Sequence, residues 1–174
     1  NPGDEVIIPT PYWVSYGDQV KMAEGVPVFV QAKEDNHFKV TVEQLEAART
    51  DKTKVLVLNS PSNPTGMIYS REELMAIGNW AVAHDVLILA DDIYGRLVYN
   101  GNEFVPISSL SEAIRKQTIV INGVSKAYAM TGWRVGYAVG NPEIIAAMSK
   151  LTGQTTSNLT AVSQYATIEA LTGP

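Results

Sequence analysis

Apolar residues along the chain fall into short unbroken runs, separated by stretches in which they recur at helical spacing. Runs at 5–8, 26–31, 54–58, 86–90, 118–122 and 135–139 predict six strands, and the central ones are apolar at nearly every position rather than at every second one. A strand that is apolar on both sides must be covered on both sides. The pattern therefore predicts an α/β fold, a mostly parallel sheet with helices on both faces. Between the runs, Tyr16, Val20 and Ala23 share one face of a helix over 14–24, with Gly25 as its stop. Thr41 with Gln44, and Ser70 with Glu73, form capping boxes that open helices running to Ala48 and Ala83. A weaker helix is expected over 108–116. Asn141-Pro142 supplies the N-cap and first position of a helix to Leu151, and a last helix spans 157–171 before the stop at Gly173-Pro174.

With 174 residues, 45% of them hydrophobic, the chain can bury one sizeable core, so residues 1–174 are expected to form a single domain. Thirteen basic against eighteen acidic residues leave a net charge of −5, with no basic run. A nucleic-acid or membrane-surface partner has no electrostatic footprint here. The chain has no cysteine, which excludes a disulfide framework and a thiolate metal site, and no apolar stretch approaches a membrane span. A soluble, cytoplasmic protein is the expectation. His37 and His84 stand far apart and read as structural or solvated, so no metal is expected. Asn1-Pro2-Gly3-Asp4 reads as a turn that follows earlier structure, which suggests a piece of a longer protein.

The chemistry concentrates between the last two strands, from Asn122 to Tyr137. Lys126 sits on a turn walled by apolar segments and is a candidate nucleophile toward a carbonyl. Arg134, between Gly132 and Gly136, offers a planar fork to a phosphate or carboxylate. In an open parallel sheet, ligands bind beyond the carboxyl ends of the strands. Trp13, Asn63, Asp91 and Lys126 each follow a different predicted strand and would line that edge together. Arg134 precedes its strand, and joins them only if that strand is antiparallel.

Ser125-Lys126 followed by Gly132-Trp133-Arg134-Val135-Gly136 resembles the cofactor-lysine segment of the fold-type I pyridoxal-phosphate enzymes, specifically the class I/II aminotransferases. Asn63-Pro64-Thr65-Gly66, Asp91-Asp92-Ile93-Tyr94 and Pro11-Tyr12-Trp13 stand in that family's order and approximate spacing. The run from Tyr128 to Arg134 is most similar to the bacterial aspartate aminotransferase subgroup.

The resemblance implies pyridoxal 5'-phosphate as cofactor and transamination between an amino acid, aspartate or similar, and a 2-oxo acid. It implies Lys126 as the covalent anchor and proton carrier, Asp91 as the partner of the pyridinium nitrogen, and Asn63 and Tyr94 as donors to the ring oxygen. Arg134 and Ser125 would hold the phosphate, with Trp13 and Ile93 on the two ring faces. Asp92, rather than Asp91, is expected to cap the turn after its strand. The family's phosphate-binding serine three residues before the lysine is Gly123 here. Cis peptides are implied at Asn63-Pro64 and Thr10-Pro11, and a homodimer is implied as the assembly. The chain would form part of the large cofactor-binding domain, with the last strand of its sheet antiparallel to the others. The N-terminal segment and C-terminal small domain would lie outside it, leaving the piece inactive alone. A carbon–sulfur lyase or cyclopropane-forming synthase would keep the same lysine, and the ligand-sensing domain of a transcriptional regulator is the reading from another class.

Overall fold

The computed structural model describes residues 1–173; the Pro174 end of the expected helix stop lies outside the described residues. Six strands form one sheet: β1 (Glu5–Thr10), β2 (Val26–Gln31), β3 (Thr53–Asn59), β4 (Leu87–Asp91), β5 (Thr118–Gly123) and β6 (Gly136–Val139). Their order is β2-β1-β3-β4-β5-β6, and every pairing is parallel except β5 with β6. The sheet read from the apolar runs is the one that forms, and its last strand is antiparallel.

Alternation along the central strands sorts their side chains between two cores. Ile7, Leu56, Leu58, Ile88 and Ala90 face the larger one, where they meet Leu45 of α2 (Val42–Ala48), Leu74, Ile77 and Trp80 of α3 (Arg71–Ala83) and Ile114 of α4 (Glu112–Lys116). Ile8, Val57 and Leu89 face the other way, against Tyr16 and Val20 of α1 (Ser15–Met22). Each fully buried aliphatic side chain contributes roughly 1.5–3 kcal/mol, and burial on both sides is why these strands carry no polar alternation. Both capping boxes form: the Thr41 and Ser70 hydroxyls accept from the Gln44 and Glu73 amides, and the Gln44 and Glu73 side chains accept in return.

Other details depart from the pattern. Ser111 caps α4, so the helix expected over 108–116 is confined to its second half, after a separate 3-10 turn at Ile107–Ser109. Glu24, not Gly25, takes the left-handed conformation after α1, at φ 62°. Gly25 is required for space instead, because a Cβ there would come within 3.1 Å of Val20 and 3.2 Å of the Asp4 carbonyl oxygen. α5 (Pro142–Thr155) continues past Leu151, and α6 (Ala161–Thr172) starts only after the Thr160 cap. Neither behaves as an amphipathic helix docked on the sheet. α5 buries no residue, α6 buries Ser163 and Thr167, and Leu151, Val162, Tyr165 and Ile168 stay 57–76% exposed. The peptides before Pro11 and Pro64 are cis, as the resemblance implied, and the one before Pro61 is a third.

Candidate active site

Parallel strands that all end at one edge bring sequence-distant residues together, and here they surround an open cavity of about 440 Å³. Trp13, Asn63, Asp91, Ile93, Tyr94, Ser125, Lys126 and Arg134, all eight positions named from sequence, line it. Arg134 reaches this edge because β6 runs antiparallel to β5. It stands at φ 56°, after the 3-10 turn Thr131–Trp133, with its guanidinium donating to the Thr131 carbonyl at 2.9 Å. A left-handed backbone costs a non-glycine residue roughly 1–2 kcal/mol, so the turn is held by its surroundings.

Asp91 ends β4 with both carboxylate oxygens engaged. Oδ1 accepts the Ile93 N–H at 3.2 Å, and Oδ2 accepts the Tyr16 hydroxyl at 2.5 Å. Burial, followed by the charge of Asp91, pushes the Tyr16 phenol above its usual range, so it remains a donor. The Trp13 ring meets Tyr16 edge-on, with centroids 5.4 Å apart. Asn63 Nδ2 donates to the Tyr94 hydroxyl at 3.4 Å, and Lys126 Nζ lies 5.9 Å from the Tyr94 ring centroid. The cavity thus presents one amine, one anchored carboxylate, one guanidinium and a set of neutral donors between the side walls of Trp13 and Ile93.

The capping role expected of Asp92 falls to Asp91, whose carboxylate takes the Ile93 N–H. Asp92 is 7% exposed, and burial together with the neighbouring Asp91 charge pushes its carboxyl up to about 7. The two acidic residues differ in setting: Asp91 lines the cavity with both carboxylate oxygens hydrogen-bonded, whereas Asp92 is largely buried and makes no side-chain hydrogen bond among the described residues.

Gly123 also finds its reason. A Cβ there would come within 2.6 Å of the Val135 carbonyl oxygen, so no serine fits where β5 and β6 approach. Ser125 does line the cavity, as does Thr131, whose hydroxyl is committed to the Ser125 carbonyl at 3.0 Å.

Two cavity residues were missed by the motifs. Tyr16 was read only as part of an apolar helix face, although a phenol placed in a core requires a partner for its hydroxyl. Asn59 ends the apolar run of β3, and its side chain bridges the Asp91 carbonyl and the Asn63 N–H.

A family model described as "Aminotransferase class I and II" matches residues 1–174. The chain is 76% identical over 173 residues to an asparagine–oxo-acid transaminase of Streptococcus mutans, covering 99% of this chain and 44% of that relative. It is 58% identical over 172 residues to an aspartate aminotransferase of Geobacillus stearothermophilus, covering 99% and 44%. Among solved structures, the aspartate aminotransferase from Rhizobium meliloti superposes with a TM-score of 0.97 at 47% identity, over 100% of this chain and 44% of that one. The Thermus thermophilus enzyme with maleate gives 0.94 at 44% identity, over 99% and 44%. The chain spans less than half the length of these relatives.

Proposed function

Because the chain belongs to the class I and II aminotransferases, we propose that the full-length protein transfers an amino group between an amino acid of the aspartate–asparagine type and a 2-oxo acid. The family's cofactor is pyridoxal phosphate. When bound, it supplies an aldehyde that combines with amines and a pyridinium ring that accepts the electron pair released at the substrate's α-carbon. The observation that carries this reading is the convergence of Lys126, Asp91, Asn63, Tyr94 and Arg134 on one cavity.

The donor set fits the cofactor. The Lys126 amine is the covalent anchor and, once released, carries the proton to and from the α-carbon. The Asp91 carboxylate, oriented by Tyr16 and the Ile93 amide, holds the proton on the pyridine nitrogen. Asn63 Nδ2 and the Tyr94 hydroxyl donate to the ring oxygen. Arg134 and Ser125 hold the phosphate, and Trp13 and Ile93 confine the ring and exclude water from its faces. On this reading residues 1–174 are part of a larger cofactor-binding domain and do not turn over amino acids alone. The same proposal includes a cytoplasmic homodimer, which the exposed apolar side chains of α5 and α6 favour. Light scattering tests the dimer; a monomeric full-length protein contradicts it.

Borohydride reduction of the full-length protein with its cofactor, followed by peptide mapping, should fix the label on Lys126. Lys126→Ala should abolish both the label and the transamination of aspartate and asparagine. A label on another lysine, or activity in the variant, overturns the assignment.

A further inference from the structure

Asn59 closes β3 opposite Asp91, its partner in the last rung of the β3–β4 ladder. Beyond that rung the backbones part, β3 leading into the loop that carries Asn63 and β4 into the turn that carries Tyr94. The Asn59 side chain continues the connection where backbone pairing stops. Its Nδ2 donates to the Asp91 carbonyl at 2.8 Å, and its Oδ1 accepts the Asn63 N–H at 2.7 Å. The Asn63 loop otherwise closes on itself, through Gly66 N–H to the Ser62 carbonyl at 2.8 Å and Ser62 N–H to the Met67 carbonyl at 3.0 Å.

One primary amide thus ties together two residues whose own side chains enter the cavity. The chemistry of the position is narrow. Aspartate would set an acceptor against the Asp91 carbonyl, serine is too short to span both partners, and an aliphatic residue would leave an N–H and a C=O unpaired.

We propose that Asn59 is a positioning residue that fixes the spacing between the Asp91 carboxylate and the Asn63 side-chain amide across the cofactor ring. This rests on the reading of Asp91 and Asn63 given under Proposed function. Asn59 touches neither cofactor nor substrate on this view; it acts through both of its neighbours. The prediction is that the electronic state of the bound ring responds to a residue one layer beneath it.

The test uses the full-length protein and the variant Asn59→Ala, with two readouts. In the cofactor-free protein, hydrogen exchange at the Asn63 amide should accelerate about fivefold, the loss of one hydrogen bond. In the loaded protein, the pH titration of the cofactor's visible absorption should shift by about 0.7 unit, the equivalent of one hydrogen bond lost at the ring. Unchanged exchange overturns the proposal whatever the cofactor does. Faster exchange with an unshifted titration also overturns it, because Asn59 would then only brace the loop. Should Asn59→Ala fail to fold, Asn59→Ser retains a polar group and carries the same readouts. A wild-type protein that binds no pyridoxal phosphate refutes the functional reading instead, while the exchange experiment still decides whether Asn59 holds Asn63.

Discussion

Asp92→Asn isolates the energetic consequence of burying a carboxyl beside a second one. The Asp92 side chain accepts no hydrogen bond and joins no ion pair among the described residues, and burial and the Asp91 charge lift it from 3.8 to about 7. A carboxyl raised on folding binds its proton more tightly in the folded than in the unfolded chain. Its contribution is therefore fully favourable below about pH 4 and is lost as pH rises toward 7. At about 1.4 kcal/mol per unit, the rise from 3.8 to about 7 corresponds to about 4 kcal/mol across that interval. An amide at position 92 removes the charge but still buries a polar group, which returns roughly 1–3 kcal/mol of the gain. Urea unfolding followed by circular dichroism should show the variant about 1–3 kcal/mol more stable than wild type near pH 8, with a flatter profile between pH 4 and 7. At pH 4 the gain should be absent. Parallel pH profiles for the two proteins, or a variant less stable at pH 8, would refute the account of Asp92 as a carboxyl destabilised by burial.

Tyr16→Phe removes a donor to the Asp91 carboxylate without opening a large cavity, and should lower stability by about 1.5–3 kcal/mol in thermal melts, a typical worth for a hydrogen bond to a charged group. Arg134→Ala should weaken cofactor retention by a similar 1.5–3 kcal/mol, roughly tenfold to a hundredfold in Kd by equilibrium dialysis, with the substrate KM less affected. Gly123→Ser should destabilise by about 1–3 kcal/mol in urea unfolding rather than improve cofactor binding, since its Cβ would press on the Val135 carbonyl at 2.6 Å.

The sheet was legible because the central strands are buried on both faces, and unbroken apolar runs such as Val55–Leu58 have few other uses. Capping boxes were equally legible, since the Thr41–Gln44 and Ser70–Glu73 bonds involve neighbours three residues apart. The cavity residues were named from motif resemblance, and strand placement supplied an independent reason for them to meet. What escaped depends on contacts distant in sequence. Asp91 and Asp92 are the same residue type side by side, and only the packed structure shows which carboxylate Tyr16 reaches. Gly123 looks like a missing serine until Val135 is seen against it. In α6 the apolar residues promised a buried face, but Val162, Tyr165 and Ile168 stay 57–76% exposed, and the small hydroxyl residues Ser163 and Thr167 are buried instead.

The bond between Tyr16 and Asp91 spans 75 residues of sequence, and β1, which precedes α1, lies between β2 and β3 in the sheet. Parallel pairings of this kind pay their loop-closure entropy before any contact rewards it, and high contact order slows folding. The local helices α2 and α3, closed by their own caps, can acquire their shape much earlier. In a refolding experiment, helical ellipticity should therefore recover first and the cavity last. Ligand competence would then be a kinetic marker for the final docking of the strands, sensitive to misregistration that far-ultraviolet signals would not reveal.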